Sequence, residues 1–284
     1  MHIEYDCTAR HSRMNHSQAI AARGLDNAVN GLARSTLPDG RKAIIKKHAG
    51  APPGFFAAEA RGLRMLRDTQ CLRVPEVWAW AAHGIVLEDL GQGQPSALQW
   101  QRGGMLLARQ HTIRGERFGL QHDGWCGDSP QANTPDRDGW RFFAEQRLLV
   151  QARRARDAAL LEARDMQAVE RLCGRLRDLV PAQAPSLLHG DLWRANLHAG
   201  ADGELALIDA GAVHYGWHEA ELSMLTLFGE PPAAFFDTYQ EASGCAPDWR
   251  ERAPLYNLYH LLNHLNLFGP GYLGAVRDIL RRWT

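Results

Sequence analysis

The sequence predicts an α+β fold in two lobes: a small strand-rich lobe with one helix over residues 1–90, and a larger, mainly helical lobe over residues 91–284. Short apolar segments separated by turn residues fill much of the first part. After a polar connector at residues 91–96, longer segments carry apolar residues at helical spacing. Two lobes joined in this way leave a cleft between them, which is where ligands usually bind.

The small lobe is predicted to contain four strands and one helix. The strands are expected over residues 28–37, 41–47, 74–79 and 84–90. Pro38-Asp39-Gly40 separates the first two, and its glycine can supply the positive φ of a hairpin turn. The helix is expected over residues 55–67, where apolar side chains recur at helical spacing.

The large lobe is predicted to be a set of helices interrupted by one hairpin. The helices are expected over residues 98–111, 140–153, 159–179, 217–228, 233–241, 249–267 and 272–282. The exception is residues 187–208, where two short apolar segments flank the turn sequence Gly200-Ala201-Asp202-Gly203. This pattern predicts a loop followed by a small hairpin.

Composition excludes several classes of protein. The apolar fraction of 45% and charged fraction of 23% are typical of a globular enzyme. The 32 basic residues equal the 32 acidic ones, which argues against a nucleic-acid partner. No apolar run approaches the roughly 20 residues of a membrane span, so no membrane partner is expected. Five scattered cysteines without a CxxC pair favour a cytoplasmic location. The oligomeric state is left open.

The strongest motif is His189-Gly190-Asp191 with Asn196 five residues after the aspartate, followed by Asp209 at the end of an apolar segment. Phosphoryl transfer needs a group that orients the attacking hydroxyl, and oxygen ligands that hold magnesium against the phosphates. We therefore predict Asp191 as the catalytic base, Asn196 and Asp209 as Mg²⁺ ligands, and ATP as the phosphate donor. Each residue alone could be a turn or cap residue, but their ordered spacing favours the functional interpretation.

A second pair of residues fits the same chemistry. Lys46 ends a predicted strand, and Glu59 lies on the apolar face of the predicted helix. Because a carboxylate on an apolar face is costly unless it is paired, Lys46 is its expected partner and could then reach the phosphates of ATP. The alternative is that Glu59 lies at the edge of the face and Lys46 is exposed.

Two further segments are candidates for nucleotide binding. Residues 22–27, with Gly24 and Asn27, form a candidate turn over the phosphates, although a surface turn explains this single-glycine pattern nearly as well. Residues 87–90 would form the hinge between the lobes. The backbone of Glu88 and Leu90 could there bind an adenine, a prediction that depends on the lobe assignment.

These motifs resemble those of the fructosamine kinases, also called ketosamine-3-kinases, from about residue 24 to residue 272. The most specific matches are SLLHGDLW at residues 186–193 and LYNLYHLLNHLNLFG at residues 255–269. Further matches lie at residues 56–63, 74–77 and 225–229, and a weaker one lies at residues 104–111. The resemblance implies a protein-kinase-like fold, related to aminoglycoside and choline kinases. It also implies phosphorylation of the 3-hydroxyl of ketosamines, which removes the sugar from the amine.

At the matching positions, the resemblance gives Asp191, Asn196, Asp209, Lys46 and Glu59 the roles predicted above. The sequence departs from the family pattern around them, and the departures are Arg23-Gly24, Ala195, Asp209-Ala210-Gly211, His214-Tyr215 and Glu219-Ala220-Glu221. None of these changes removes a catalytic group. They surround the expected phosphate and acceptor sites, so they bear on the identity of the substrate more than on catalysis.

The acceptor side of the cleft is predicted from position alone. His214, Tyr215, Trp217 and Glu221 follow Asp209 closely and are candidate substrate residues. The predicted helix over residues 249–267 is rich in histidine and asparagine. We interpret these polar groups as a satisfied buried network in preference to direct sugar contacts.

Three functions remain open from the sequence. The first is an ATP-dependent ketosamine kinase, acting on a small or a protein-bound ketosamine. The second is a kinase of the same fold for an aminoglycoside or another small metabolite, which the altered residues after Asp209 would permit. The third is a nucleotide-binding protein without catalysis, against which the intact catalytic set argues. A protein-serine kinase is not expected, since no activation loop with its Ala-Pro-Glu anchor is found.

Overall fold

The computed structural model describes residues 31–284. A four-stranded antiparallel sheet in the order β1-β2-β4-β3 forms most of the small lobe within these residues. Its strands are β1 (Gly31–Thr36), β2 (Lys42–Lys47), β3 (Val77–Ala81) and β4 (Gly84–Glu88), and helix α1 (Phe55–Asp68) lies between β2 and β3. The candidate phosphate turn with Gly24 and Asn27 lies outside the described residues.

Local sequence explains the form of the small lobe. At the β1–β2 turn Gly40 has φ +86, and Asp39 accepts a hydrogen bond from the backbone N–H of Arg41. Helix α1 buries the predicted apolar face, with Leu63 and Leu66 fully enclosed. Strand β3 begins three residues later than predicted. Pro75, which has no N–H to donate to a ladder, lies before it.

The large lobe is mainly helical, as the sequence predicts. Within the described chain its α-helices are α2 (Ala97–Gln110), α3 (Gly139–Phe143), α4 (Leu149–Asp157), α5 (Ala163–Leu179), α6 (His218–Met224), α7 (Ala233–Ser243), α8 (Trp249–Phe268) and α9 (Leu273–Trp283). A π-helical turn (Ala144–Leu148) joins α3 to α4, and a 3₁₀ turn (Pro270–Tyr272) precedes α9. None of the helices in residues 31–284 combines the length and the apolar character needed to cross a bilayer.

Three pairs of short antiparallel strands complete the described part of the large lobe. They are β5 (Gly124–Cys126) with β6 (Ser129–Gln131), β7 (Ser186–Leu188) with β10 (His214–Gly216), and β8 (Leu197–Ala199) with β9 (Leu205–Leu207). The last pair is the predicted hairpin. The other two pairs were not predicted, because three-residue strands are too short to show an alternating pattern.

Several helix boundaries differ from the prediction for local reasons. Helix α5 begins at Ala163, because Ala159 takes a left-handed φ of +57 and Glu162 with Asp165 forms a capping box. The predicted helix over residues 217–228 ends at Met224. Helix α2 begins where Ser96 and Gln99 form a capping box.

The two lobes share buried apolar residues. One cluster contains Leu63 of α1 and Ile85 of β4 together with Leu107 of α2 and Leu207 of β9. The lobes are therefore packed against each other through α1 as well as joined by the chain. The division at residues 90 and 91 stays a prediction.

Helices α2 and α7 approach so closely that glycine is required at the contact. A Cβ added at Gly104 would lie 2.0 Å from the backbone oxygen of Phe235. Gly174 lies in the middle of α5 and is exposed, and a Cβ there would meet no atom within 4 Å.

We predict opposite effects for alanine at these two helical glycines. Gly104→Ala should lower the free energy of unfolding by about 1–3 kcal/mol, since the two helices must move apart. Gly174→Ala should raise it by about 0.5–1 kcal/mol, since alanine restricts the unfolded chain more than glycine. Urea denaturation of both variants measures the difference. Equal effects at the two positions would show that the close α2–α7 packing is not a constraint.

Candidate active site

The catalytic motif lies on the loop between β7 and β8, and a buried histidine fixes its course. His189 Nε2 lies 2.8 Å from the Ile208 carbonyl oxygen, and its Nδ1 accepts a hydrogen bond from the Asp191 N–H at 3.3 Å. This pairing requires a neutral ring with the proton on Nε2. Burial lowers the pKa of His189 and so favours that form. The ring therefore links the Asp191 loop to the segment that leads into Asp209.

A buried carboxylate holds the same loop from the other side. Glu221 accepts hydrogen bonds from the backbone N–H groups of His189, at 3.1 Å, and Gly190, at 2.7 Å. His111 Nε2 lies 3.1 Å from the same carboxylate, and the Tyr239 hydroxyl lies 2.7 Å from the other nitrogen of that ring. Burial by itself would raise the pKa of Glu221, but these polar partners outweigh it and the pKa is lowered. Glu221 is thus an ionised anchor for the loop.

Asp191 lies in an environment that suits proton transfer. Burial, followed by the negative charge of Asp209, raises the pKa of Asp191 to about 7. A base with a pKa near the working pH is effective both at accepting and at releasing a proton. His260 Nδ1 lies 3.8 Å from the Asp191 carboxylate, and the Cys126 thiol belongs to the same small group of side chains.

Asn196 and Asp209 lie beside Asp191. The Asn196 side-chain N–H donates to the Asp191 carbonyl oxygen at 2.9 Å, which leaves the amide oxygen to coordinate a cation. Asp209 has φ +65, an unusual backbone conformation for an aspartate and one that is concentrated at functional sites. Both residues line the cleft. A carboxylate and an amide oxygen are hard donors, so this pair fits Mg²⁺.

Lys46 connects the small lobe to the catalytic segment. Its Nζ lies 2.7 Å from a carboxylate oxygen of Glu59 and 2.7 Å from one of Asp209. Burial alone would lower the pKa of Lys46, but the two carboxylates outweigh burial and raise it. Lys46 is therefore a permanent cation, and the structure brings the predicted pair Lys46–Glu59 into contact.

Backbone packing fixes the position of the Asp209 segment. A Cβ added at Gly62 of α1 would lie 1.9 Å from the carbonyl oxygen of Ala210. Only glycine permits the helix that carries Glu59 to approach the residue after Asp209 so closely.

These groups meet in a cleft of about 780 Å³ between the lobes. From the small lobe it is lined by Lys46, Lys47, His48, Phe55 and Glu59, among others. From the large lobe it is lined by Asp191, Asn196 and Asp209 and by Trp125, Cys126, Asp128, Trp193, Phe228, Asn263, His264, Phe268 and Tyr272. A cavity of this size accommodates a nucleotide and part of a second substrate.

Comparison with known proteins identifies the family. A sequence model of the fructosamine kinases matches residues 11–284. The chain belongs to the fructosamine kinase family. It is 39% identical over 253 residues to a probable ketoamine kinase from Synechocystis sp., covering 87% of this chain and 84% of that protein. It is 32% identical over 285 residues to a chloroplastic protein-ribulosamine 3-kinase from Oryza sativa subsp. indica, covering 94% of this chain and 80% of that protein.

Solved structures agree with the family and with the predicted fold. A candidate fructosamine-3-kinase from Thermobifida fusca superposes with a TM-score of 0.83 at 34% identity, covering 93% of this chain and 98% of that one. The streptomycin–ATP complex of an aminoglycoside phosphotransferase has a TM-score of 0.59 at 11% identity, covering 94% and 96%. The predicted bilobal protein-kinase-like fold is confirmed. As a member of this family, the chain is a kinase that transfers a phosphoryl group to a hydroxyl group.

The structure does not bring the predicted acceptor residues into the cleft. His214 and Trp217 are buried inside the large lobe, where Trp217 packs against Phe143 and Tyr256. Glu221 anchors the catalytic loop, as described above. Tyr215 pairs through its backbone with β7, and its ring lies beside Gly115. Position after Asp209 was a poor guide, because β10 pairs with β7 and α6 then runs through the interior.

The predicted hinge residues are likewise absent from the cleft lining described above. The Glu88 carboxylate pairs with Arg67 and Arg73. The Leu90 carbonyl oxygen accepts a hydrogen bond from the Ala201 N–H at 2.8 Å. Adenine binding by this segment stays a prediction.

Sequence reasoning missed the aromatic wall of the cleft. His264 packs against Phe228, Phe268 and Tyr272, with ring centroids 4.8–5.2 Å apart. The histidine-rich sequence of α8 was the available signal. The buried-network interpretation fits the neighbouring asparagines in part. Asn263 donates to the Cys126 carbonyl oxygen and Asn266 to that of Gln151, but the side-chain oxygen of Asn263 has no hydrogen-bond partner among the described residues.

We predict that Glu221→Gln loosens the catalytic loop. A neutral amide presents an N–H to one of the backbone donors, so the free energy of unfolding should fall by about 1–3 kcal/mol. Hydrogen exchange at the amides of His189 and Gly190 should accelerate, and kcat should fall.

The matched control is Glu204→Gln, a carboxylate that contacts the exposed Arg102 on the surface. It should change stability by no more than about 0.5 kcal/mol. If both variants retained protected loop amides and equal kcat, Glu221 would not be the anchor.

Proposed function

We propose that this protein uses ATP and Mg²⁺ to phosphorylate the 3-hydroxyl of a ketosamine, which releases the sugar from the amine. The observation that carries the proposal is the convergence of Asp191, Asn196, Asp209 and the Lys46–Glu59 pair on one cleft. Membership of the fructosamine kinase family supports the acceptor class. So do the relatives named ketoamine kinase and protein-ribulosamine 3-kinase.

On the donor side, Lys46 supplies a fixed positive charge. The Glu59 carboxylate holds the ammonium group of Lys46 at the cleft wall, so the lysine is positioned before ATP arrives. Asn196 and Asp209 would hold Mg²⁺, which neutralises charge on the phosphates as the phosphoryl group is transferred. The left-handed backbone of Asp209 and the close packing of the next residue, Ala210, against Gly62 keep this carboxylate directed at the same place.

On the acceptor side, Asp191 receives the proton of the attacking hydroxyl. The loop geometry set by His189 and Glu221 presents the carboxylate to the cleft. The near-neutral pKa of Asp191 in the protein alone lets it accept that proton as the hydroxyl attacks and release it after the product leaves.

The two alternative functions lose support. The altered residues that would permit another small-metabolite acceptor include His214 and Glu221, which are buried away from the cleft. The aminoglycoside phosphotransferases resemble this chain in fold alone. A non-catalytic role does not account for five catalytic side chains brought to one cleft.

We predict that Asp191→Asn abolishes ketosamine-stimulated release of ADP. The amide cannot accept the proton, so kcat should fall by at least about 10²-fold while ATP still binds. The assay measures ADP release with ribulose-lysine, fructose-lysine, an aminoglycoside and no acceptor, with and without a magnesium chelator. Asp202→Asn, in the turn of the β8–β9 hairpin, is the control and should keep full activity. Turnover on the aminoglycoside alone would overturn the acceptor assignment and keep the catalytic one.

We predict that Lys46→Met weakens the use of ATP. Loss of the fixed cation should lower kcat/KM for ATP by about 10²-fold, the usual effect of removing one charge contact at a reaction centre. Lys42→Met removes an exposed lysine four residues away on the same strand, whose ammonium group donates to the Thr36 hydroxyl. That control should leave kcat/KM within about twofold of the wild-type value. Equal losses of kcat/KM in the two variants would show that the effect comes from disturbing the strand and not from removing the charge of Lys46.

A further inference from the structure

The carboxylates that line the cleft are more numerous than the phosphoryl-transfer chemistry requires. Within residues 31–284 they are Glu59, Asp128, Asp191 and Asp209. Glu59 is paired with Lys46, Asp191 is the base, and Asp209 is a cation ligand that also contacts Lys46. Asp128 has no part in that chemistry.

Asp128 lies on the unpredicted β5–β6 hairpin. Gly127 and Asp128 form the two-residue turn between the paired residues Cys126 and Ser129, with Gly127 at φ +57. The Asp128 side chain is 65% exposed, and one of its oxygens lies 3.3 Å from Nε2 of His48 in the small lobe. An imidazole is a cation only when protonated, so this contact does not provide the permanent positive charge that Lys46 provides for Glu59.

Aromatic side chains line the same cleft as this carboxylate. Trp125, three residues before Asp128, lines the cleft and packs against Phe55, with ring centroids 5.7 Å apart. The face of an indole attracts an organic cation, and so does a carboxylate. Such a combination fits an alkylammonium group better than a neutral sugar hydroxyl.

Asp128 lines the same cleft as the base. The Cys126 sulfur lies within 4.8 Å of an Asp191 carboxylate oxygen, and Asp128 follows Cys126 by two residues in the hairpin turn. In a ketosamine, four bonds of about 1.5 Å each separate the 3-oxygen from the amine nitrogen. An acceptor whose hydroxyl lies at Asp191 therefore has its amine in the cleft that Asp128 also lines.

We propose that Asp128, together with Trp125, binds the protonated amine of the acceptor and so selects amine-bearing ketoses over neutral ones. An alkylamine of this type is protonated at neutral pH. The proposal rests on the proposed function, because it assumes a ketosamine acceptor. It adds a residue that determines specificity without taking part in phosphoryl transfer.

The test compares binding of a charged and a neutral acceptor. Calorimetry in the presence of Mg²⁺ and a non-hydrolysable ATP analogue gives the Kd of ribulose-lysine and of a 1-O-alkyl ribulose ether, in which oxygen replaces the amine nitrogen. The proteins are the wild type, Asp128→Asn, and Asp202→Asn as a control in the other hairpin turn. Asparagine is well tolerated in turns, so Asp128→Asn should fold, and its thermal transition checks this.

We expect wild type and Asp202→Asn to prefer the amine over the ether, and Asp128→Asn to reduce that preference about tenfold. The Kd of the ATP analogue should stay unchanged in all three. An unchanged preference in Asp128→Asn, or equal weakening of both acceptors, would overturn the assignment of Asp128. A separate turnover assay of the wild type distinguishes this from failure of the proposed function, in which ribulose-lysine would not be phosphorylated at all.

Discussion

The double ion pair of Lys46 is the interaction on which the organisation of the active site depends. One ammonium group joins strand β2, helix α1 and the segment after β9, and so connects both lobes at the point of reaction. The buried Glu59 and the largely buried Lys46 would each be costly without a partner, whereas the Asp209 side chain is about half exposed. Helix α1 can bring Glu59 to this point only because Gly62 allows its backbone to touch Ala210. The ion pairs of Lys46 therefore depend on the close packing of the two lobes.

Behind the cleft, a second set of buried charges supports the catalytic loop. Glu221 is held by His111 and by backbone N–H groups, and nearby Glu219 is held by Arg252 and by the Tyr256 hydroxyl. A buried carboxylate with several good donors is tolerated, whereas the same carboxylate with one donor missing is strongly unfavourable. Such a network therefore allows few alternative loop conformations. It gives Asp191 a fixed position although the loop itself has almost no regular structure.

The residues that meet in the cleft could be singled out from the sequence because their spacing fits phosphoryl-transfer chemistry, and their catalytic roles stay predictions. Asp191, Asn196 and Asp209 lie close in the chain, and Lys46 with Glu59 lie on a strand and a helix whose patterns are clear. The residues proposed to bind the acceptor could not be predicted in this way. His214 and Trp217 are near Asp209 in sequence, but pairing of β10 with β7 turns them inward. Asp128 and Trp125 lie on a hairpin of three-residue strands, which has no detectable period.

The charge balance of the cleft connects donor and acceptor binding. Its described lining contains four carboxylates against the two lysines Lys46 and Lys47. A triphosphate would enter this acidic site unfavourably unless cations came with it, and Asn196 with Asp209 offers hard ligands for them. The same excess of negative charge favours an acceptor that is itself a cation. A neutral sugar would leave Asp128 beside the imidazole of His48, whereas an ammonium group would neutralise it. The described lining of the cleft thus favours cations with both substrates, one held near the phosphates and one carried by the acceptor.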